Sequence, residues 1–297
     1  MKKKKDVIIT AVFGIIFLLG LSVMLYPTFA NWWNKHKASH TISVYKEEVA
    51  KLDEAEKNRM LQEAYDYNEQ LAELNAPFTD YDTIPGYDDI LNISDTGIMG
   101  YVSIPNINVE LPIYHGTSEG VLQIASGHIQ GSSLPVGGPD THSVISGHRG
   151  LPSAKLFTDL DQLVIGDTFT INILNDVMMY EVEDILVILP DDTEKLSIIP
   201  EKDYVTLMTC TPYGVNTHRL LIKAHRIKTV FDKQVKVSGD ALQVDSLTVI
   251  SVIFAFLLII TLIYWRITGS FRKKVYIDKY IRSRLPDERG HGHDKGN

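Results

Sequence analysis

The chain has 297 residues, 44% of them hydrophobic, and a formal net charge of −8. That length allows one or two ordinary domains with real cores, and the acidic balance argues against nucleic acid as a partner. A single cysteine excludes an internal disulfide and makes a structural zinc site improbable.

The chain opens on "MKKKKD", followed by an uncharged run from Val7 to Tyr26. At about 1.5 Å per residue such a run crosses a hydrocarbon core of roughly 30 Å. "YPTFANWW" is a poor small-residue cleavage site, so residues 1–26 read as a basic cytoplasmic start and an uncleaved transmembrane anchor. Residues 27–97 read as an outside helical region ending in a loop. Within it, residues 41–74 carry Ile42, Tyr45, Val49, Leu52, Leu61, Ala64 and Leu71 at mostly helical spacing, with no Gly or Pro, and so predict a helix. "NAPFTDYDTIPGYDDILNISDTG" then gathers Pro, Gly, Asn and Asp, the composition of a long loop. Asp88-Asp89 could in principle hold calcium but reads as solvated charge.

Residues 98–235 have β texture. "GIMGYVSIPNINVELPIYHG" alternates and is broken by prolines, and "THSVISGH", "DTFTINIL", "VMMYEVEDILVIL", "DYVTLMTC" and "RLLIKAHRI" are short β-branched runs. Asn175-Asp176 looks like a hairpin turn, and "SAKLFTDLDQL" is the one expected helical turn. Strands this numerous and short predict a closed barrel or sandwich. Residues 236–265 read as a linker and a second span, since Leu247 to Trp265 is again uncharged and ends in aromatic residues. Residues 266–297 form a basic tail whose polar end, with His291 and His293, reads as disordered.

Charge fixes the expected orientation. Residues 1–6 carry four Lys and one Asp, and residues 266–297 carry nine Lys or Arg and four acids, leaving 16 basic and 32 acidic residues between. Basic flanks stay in the cytoplasm, so both termini should lie inside and residues 27–246 outside.

Cys210 ends an apolar run, "TPYG" follows it, and Arg219 stands nine positions on. A thiol at a strand end with a cation nearby is placed to act as a thiolate nucleophile. Such a nucleophile needs an acid–base partner, usually histidine. His148, in "SVISGHRGLP", ends a β run at a tight turn and has the same setting. His128 and His142 are rivals in expected loops, and His115 and His218 are weaker. Arg219 could donate to the oxygen that gains charge during acyl transfer.

These segments resemble the sortases, cysteine transpeptidases of Gram-positive surfaces. "TLMTC" with Arg219 is similar to their signature, "SGHRGLP" to their histidine segment, and the stretch from Gly100 to Arg226 to their barrel. A hydrophobic segment at each end and a helical region before the barrel are similar to class C, the pilin-polymerising sortases. The resemblance implies an all-β fold: a closed sortase-type barrel of about eight strands, with an N-terminal helical region and two flanking transmembrane helices.

It also implies that Cys210 is nucleophile, His148 general acid and base, and Arg219 the oxyanion and substrate stabiliser. Thr209 and His128 become substrate-loop candidates. Class C enzymes carry a lid with an Asp-Pro-aromatic motif; here Pro77 and Phe78 match it, and Ala76 stands where the aspartate is expected. The implied substrate is an LPXTG-type pilin or surface protein, cut between Thr and Gly, and the implied acceptor is a pilin lysine amine. No metal or organic cofactor is implied. A housekeeping sortase that uses a cell-wall precursor, a cysteine hydrolase of another fold and a non-enzymatic two-span assembly factor are the competing readings.

Overall fold

The computed structural model describes residues 2–93 and 96–229, with Phe254, Ala255, Leu258 and Tyr280 as isolated helical positions beyond them. The expected second span and basic tail otherwise lie outside the described residues. The chain divides into two units, Met1–Ser238 and Gly239–Asn297, and every element below belongs to the first.

Helix α1, Lys2–Lys51, runs without a break through Pro27. Proline removes one ladder bond there, yet the helix does not stop at Tyr26. From Val12 its first turns are exposed and apolar, and among the described residues it is the one helix long and apolar enough to cross a membrane. From Ala38 onward α1 becomes amphipathic. Ala38, Ile42, Tyr45 and Val49 recur at helical spacing and are buried. The buried Tyr45 hydroxyl is satisfied on both sides, donating to the Met99 carbonyl at 3.1 Å and accepting the Leu174 amide at 2.7 Å.

The expectation of one uninterrupted helix over 41–74 is corrected at residues 52–53. Asp53 is extended and its carboxylate accepts the Glu56 amide at 2.8 Å, so it caps a new helix, α2, Glu54–Ala72. "DEAE" is a helix-start pattern that apolar periodicity alone does not reveal. Asn68 on the buried face of α2 exchanges two hydrogen bonds with the backbone of Leu134, at 3.1 and 2.7 Å, fastening α2 to the loop that lies beyond β3 (below). A single helical turn, α3, Pro77–Asp80, follows.

The remaining strands are β1 (Ile98–Ile104), β2 (Val109–His115), β3 (Ser126–His128), β4 (Thr141–Gly147), β5 (Thr168–Ile173), β6 (Asp176–Ile188), β7 (Asp203–Thr211) and β8 (His218–Ile227). They close a barrel in the order β1-β2-β3-β4-β7-β8-β6-β5. The β2–β3 and β4–β7 pairs are parallel and the others antiparallel. Val102, Ile113, Ile145, Phe169, Leu207 and Ile222 from six strands meet in one buried core. The eight-strand closed barrel expected from the sequence is present.

Local details differ. The β5–β6 hairpin turns on Leu174-Asn175, one residue earlier than expected, with Leu174 at φ 52° and Asp176 already paired with Ile173. Strand β3 is three residues long, too short to stand out in the sequence. The parallel β2–β3 pair also demands a crossover, and that connection carries α4, Glu119–Leu122, a second helical turn inside the barrel region.

Candidate active site

The hairpin of β7 and β8 explains the spacing of Cys210 and Arg219. Antiparallel register places Thr211 opposite His218 and Cys210 directly opposite Arg219. The six intervening residues form the turn, closed by the Val215 and Asn216 amides on the Pro212 carbonyl at 3.1 and 3.0 Å. Asn216, at φ 62°, and Gly214, at φ 74°, take the left-handed conformations that this reversal requires. The Arg219 guanidinium donates to the Asn216 and His218 carbonyls at 3.3 and 3.2 Å. Cys210 is half-buried, so its sulfur is neither sealed in the core nor fully in water.

On the other side of β7 lies β4, in parallel register, with Ser146 opposite Met208. Parallel strands end together, so the chain leaving β4 at Gly147 delivers His148 to the rim that Cys210 occupies. Three contacts fix this exit. The Thr209 hydroxyl donates to the Gly147 carbonyl at 2.8 Å. The Phe157 amide donates to the His148 carbonyl at 3.1 Å. The Phe157 ring lies so close to Gly147 that a Cβ there would meet it at 2.6 Å. The His148 loop in turn packs on the β7–β8 turn. Gly150 faces the Tyr213 ring, and the Arg149 guanidinium, ion-paired with Asp161, sits 5.8 Å from that ring's centre.

His148 Nε2 stands 3.6 Å from the Glu119 carboxylate on α4. The other Glu119 oxygen accepts the Gln123 side-chain amide. That amide, and secondarily the His148 charge, hold the Glu119 carboxyl below its ordinary range. The carboxylate stands within reach of the ring edge and can orient it.

The matched family profile is the sortase domain, over residues 102–227. The crystal structure of sortase C1 from Streptococcus agalactiae is 47% identical, with the similarity covering 64% of this chain and all of that one, at a TM-score of 0.59. The chain belongs to the sortase family, in class C. A sortase C from Clostridium perfringens, solved with the C-terminal cell wall sorting motif, is 42% identical over 65% of this chain and all of that one, at a TM-score of 0.57. Sortase A of Streptococcus agalactiae is more distant, 22% identical over 218 residues, or 72% of this chain and 83% of that protein. As a sortase, this chain is a cysteine transpeptidase.

Three further histidines are held in the scaffold. His128 was expected in a substrate loop; it closes β3 instead and is wholly buried. Its Nδ1 meets the Tyr87 hydroxyl at 2.9 Å and its Nε2 the Ser133 carbonyl at 2.8 Å. Desolvation pushes its pKa down to about 4. His142 is also buried, between the Ser197 carbonyl at 2.9 Å and the Thr206 hydroxyl at 2.8 Å, and desolvation takes it to about 4 as well. His115 is bracketed by the Gly97 and Ile90 carbonyls, at 2.9 and 2.8 Å. Thr209, the other substrate-loop candidate, is 1% exposed, and its hydroxyl faces Gly147. Both substrate-loop candidates therefore sit in the scaffold under the site.

Helix α3 packs close to β7. Phe78 packs with Ile129 and Met208 on a small cluster of Val144, Ile188, Leu196 and Leu221, and Met208 is two residues from Cys210. Gly131, at φ +93°, permits this approach: a Cβ there would stand 2.8 Å from the Pro77 carbonyl and 2.9 Å from Phe78 Cα. Ala76 is exposed and caps α3 without a side-chain bond. Glu119 and Gly131 were not singled out from the sequence. "SEGVLQ" held the signal for Glu119, a helix start with Gln four residues after the carboxylate; nothing local marks Gly131.

Proposed function

We propose that this sortase cuts an LPXTG-like sorting signal between Thr and Gly and joins the new acyl end to a lysine amine of a pilin subunit. The observation that carries this reading is the register of three strand ends: Cys210 opposite Arg219, with His148 leaving the neighbouring parallel strand. The sorting motif bound by the Clostridium perfringens sortase C supports the substrate class.

The Cys210 thiolate attacks the threonine carbonyl carbon. The carbonyl π electrons move to oxygen, and Arg219 with backbone N–H groups stabilises that oxyanion. As the oxyanion collapses the C–N bond breaks, and the His148 imidazolium gives its proton to the departing glycine amine. A thioester remains on Cys210. The lysine amine then attacks the thioester carbonyl and surrenders a proton to His148. The C–S bond breaks, restoring thiolate and imidazolium and leaving an isopeptide. Glu119, beside His148, orients the ring for the first step. Phe78 and Pro77 act as the lid that a sorting signal displaces.

Helix α1 would hold the enzyme at the outer membrane surface, where sorting signals with hydrophobic tails wait. The second apolar run, 247–265, completes a two-span topology with both termini inside. Confinement to one layer raises the effective concentration of enzyme toward anchored substrate.

The test incubates the full chain with a pilin subunit and reads product masses. A ladder of covalent oligomers, lost in Cys210→Ala, is the expected result. Conjugates formed only with a cell-wall-precursor amine would favour the housekeeping reading, and cleavage without conjugation would remove the polymerising role.

A further inference from the structure

Strand directions give the barrel two ends of different character. β1, β4 and β7 run the same way, so Ile104, Gly147 and Thr211 finish at one end. β5 and β8 are antiparallel to these neighbours and begin there. The turns at 105–108 and 164–167, the His148 loop and the Cys210 rim therefore share that end.

Helix α1 enters at the same end. The Asn31 side-chain oxygen accepts the Lys155 amide at 2.8 Å, and the Asn34 amide donates to the Ser153 carbonyl at 2.7 Å. Lys35 reaches the Asn108 side chain at 3.3 Å. Further along, Tyr45 bonds Met99 and Leu174, at the start of β1 and just past β5, which is the opposite end. The apolar part of α1 thus continues away from the barrel on the active-site side. No charge occurs between Val7 and Trp33, and Trp32 and Trp33 are 59% and 47% exposed, the residue type that marks a membrane–water boundary. Asn31 and Asn34 flank that pair. The loop they grip, which begins at His148, is therefore at headgroup depth if α1 spans.

At this end Val164 and Ile165 are 60% and 68% exposed. Their turn is braced by Asp167, whose amide donates to the Val164 carbonyl at 3.1 Å and whose carboxylate accepts the Val164 amide at 2.9 Å and the side chain of Asn106, in the turn that Lys35 touches. Lys155 is paired with Asp159 and Arg149 with Asp161 within the rim, and the Asp167 carboxylate is taken up by its two amide donors, which lowers the cost of facing a lipid surface. A lone exposed aliphatic needs no explanation, but an adjacent pair on a braced turn, at the depth of two exposed tryptophans, does.

We propose that the barrel is seated on the membrane by its active-site end, with Val164 and Ile165 inserted into the outer interfacial layer. The proposal rests on the reading of α1 as the anchor in Proposed function, and it narrows the preferred substrate to sorting signals still tethered by their own membrane segment. Cleft and tethered scissile bond then meet at one height, without the enzyme tilting on its anchor.

The test uses the full chain in nanodiscs of phosphatidylcholine and phosphatidylglycerol. Cys210 is the only cysteine. In a Cys210→Ala background, Ile165→Cys or Asn175→Cys therefore takes an environment-sensitive dye alone, Asn175 lying in the hairpin at the far end. The dye at 165 should emit at shorter wavelength, and headgroup-level lipid quenchers should quench it several-fold more than the dye at 175. Water-like, equally quenched emission at both positions overturns the proposal. In a second arm, V164E/I165E should lower turnover of a membrane-tethered substrate several-fold and leave a soluble sorting peptide unaffected. Unchanged turnover of the tethered substrate also overturns the seating. A failure of the cleavage reading is separable: the unsubstituted chain would then cut neither substrate, while the dye result, measured without Cys210, would stand.

Discussion

Replacing Thr209 by valine tests whether the scaffold under the site governs the chemistry. The Thr209 side chain is 1% exposed, and its hydroxyl makes a 2.8 Å bond to the Gly147 carbonyl, the last backbone group before His148. Valine keeps the shape and removes the donor. Loss of the bond should cost about 1 kcal/mol, rising toward about 3 kcal/mol if the Gly147 carbonyl is left without a partner. For a unit of this size that lowers Tm by between about 2 and 12 °C. Activity should fall further than stability alone explains, because a displacement of about 1 Å at a reacting group costs on the order of 10²-fold in rate. Thr209→Ser is the discriminating control. It keeps the hydroxyl and loses a buried methyl, about 1 kcal/mol of burial. Thermal melts should therefore show both variants destabilised. Steady-state turnover of a sorting peptide should fall at least tenfold in the valine variant only, by the same positioning argument (roughly a tenth of the full effect suffices). Equal turnover of the two variants would refute the idea that this hydroxyl positions His148.

Glu119→Gln removes a negative charge 3.6 Å from His148 Nε2. Turnover of a sorting peptide should then fall, and only modestly, because Glu119 is 73% exposed. Unchanged turnover would exclude a role for Glu119 in positioning His148. Gly131→Ala places a Cβ 2.8 Å from the Pro77 carbonyl and strains a residue at φ +93°, so α3 must shift. Alkylation of Cys210 by iodoacetamide should speed up, and an unchanged rate would mean that α3 does not screen the thiol. His128 and His142 give stability a pH dependence of known sign. Unfolded imidazoles bind protons near 6.5, while burial holds these two to about 4, so the unfolded state binds more protons in between. Stability should be level above pH 6.5 in this respect and should decline as pH falls toward 4, by on the order of 1 kcal/mol per pH unit for each ring. Denaturant titrations across that window check it, and His128→Gln should reduce the slope.

The strands of the barrel were legible where a half-buried strand writes its two-residue period into the chain, as "TFTINI" does, or where both faces are buried in a short apolar run, as at Leu220, Leu221 and Ile222. The break at Asp53 was hidden in the opposite way. Apolar positions continue on both sides of it, and the cap is a polar signal. Strand β3 has three residues and is a strand only because β2 and β4 flank it. Of the site, Cys210, His148 and Arg219 were readable as residue types at strand ends. His128 misled because "ASGHIQG" looks like a loop, whereas partners distant in sequence, Tyr87 and Ser133, enclose its ring.

By itself the sequence determined which segments could be strands, where a helix could cross a bilayer, and that a thiol, an arginine and several histidines stood at strand ends or in loops. Those properties depend on neighbours within a few residues, so a linear string records them. The tertiary structure decided that β7 lies between β4 and β8, which brings His148 and Arg219 to either side of Cys210. It also decided that α1 meets the barrel at the active-site end, through Asn31 on Lys155 and Asn34 on Ser153. Strand order and helix docking depend on which distant surfaces bury each other, and no local period encodes that choice.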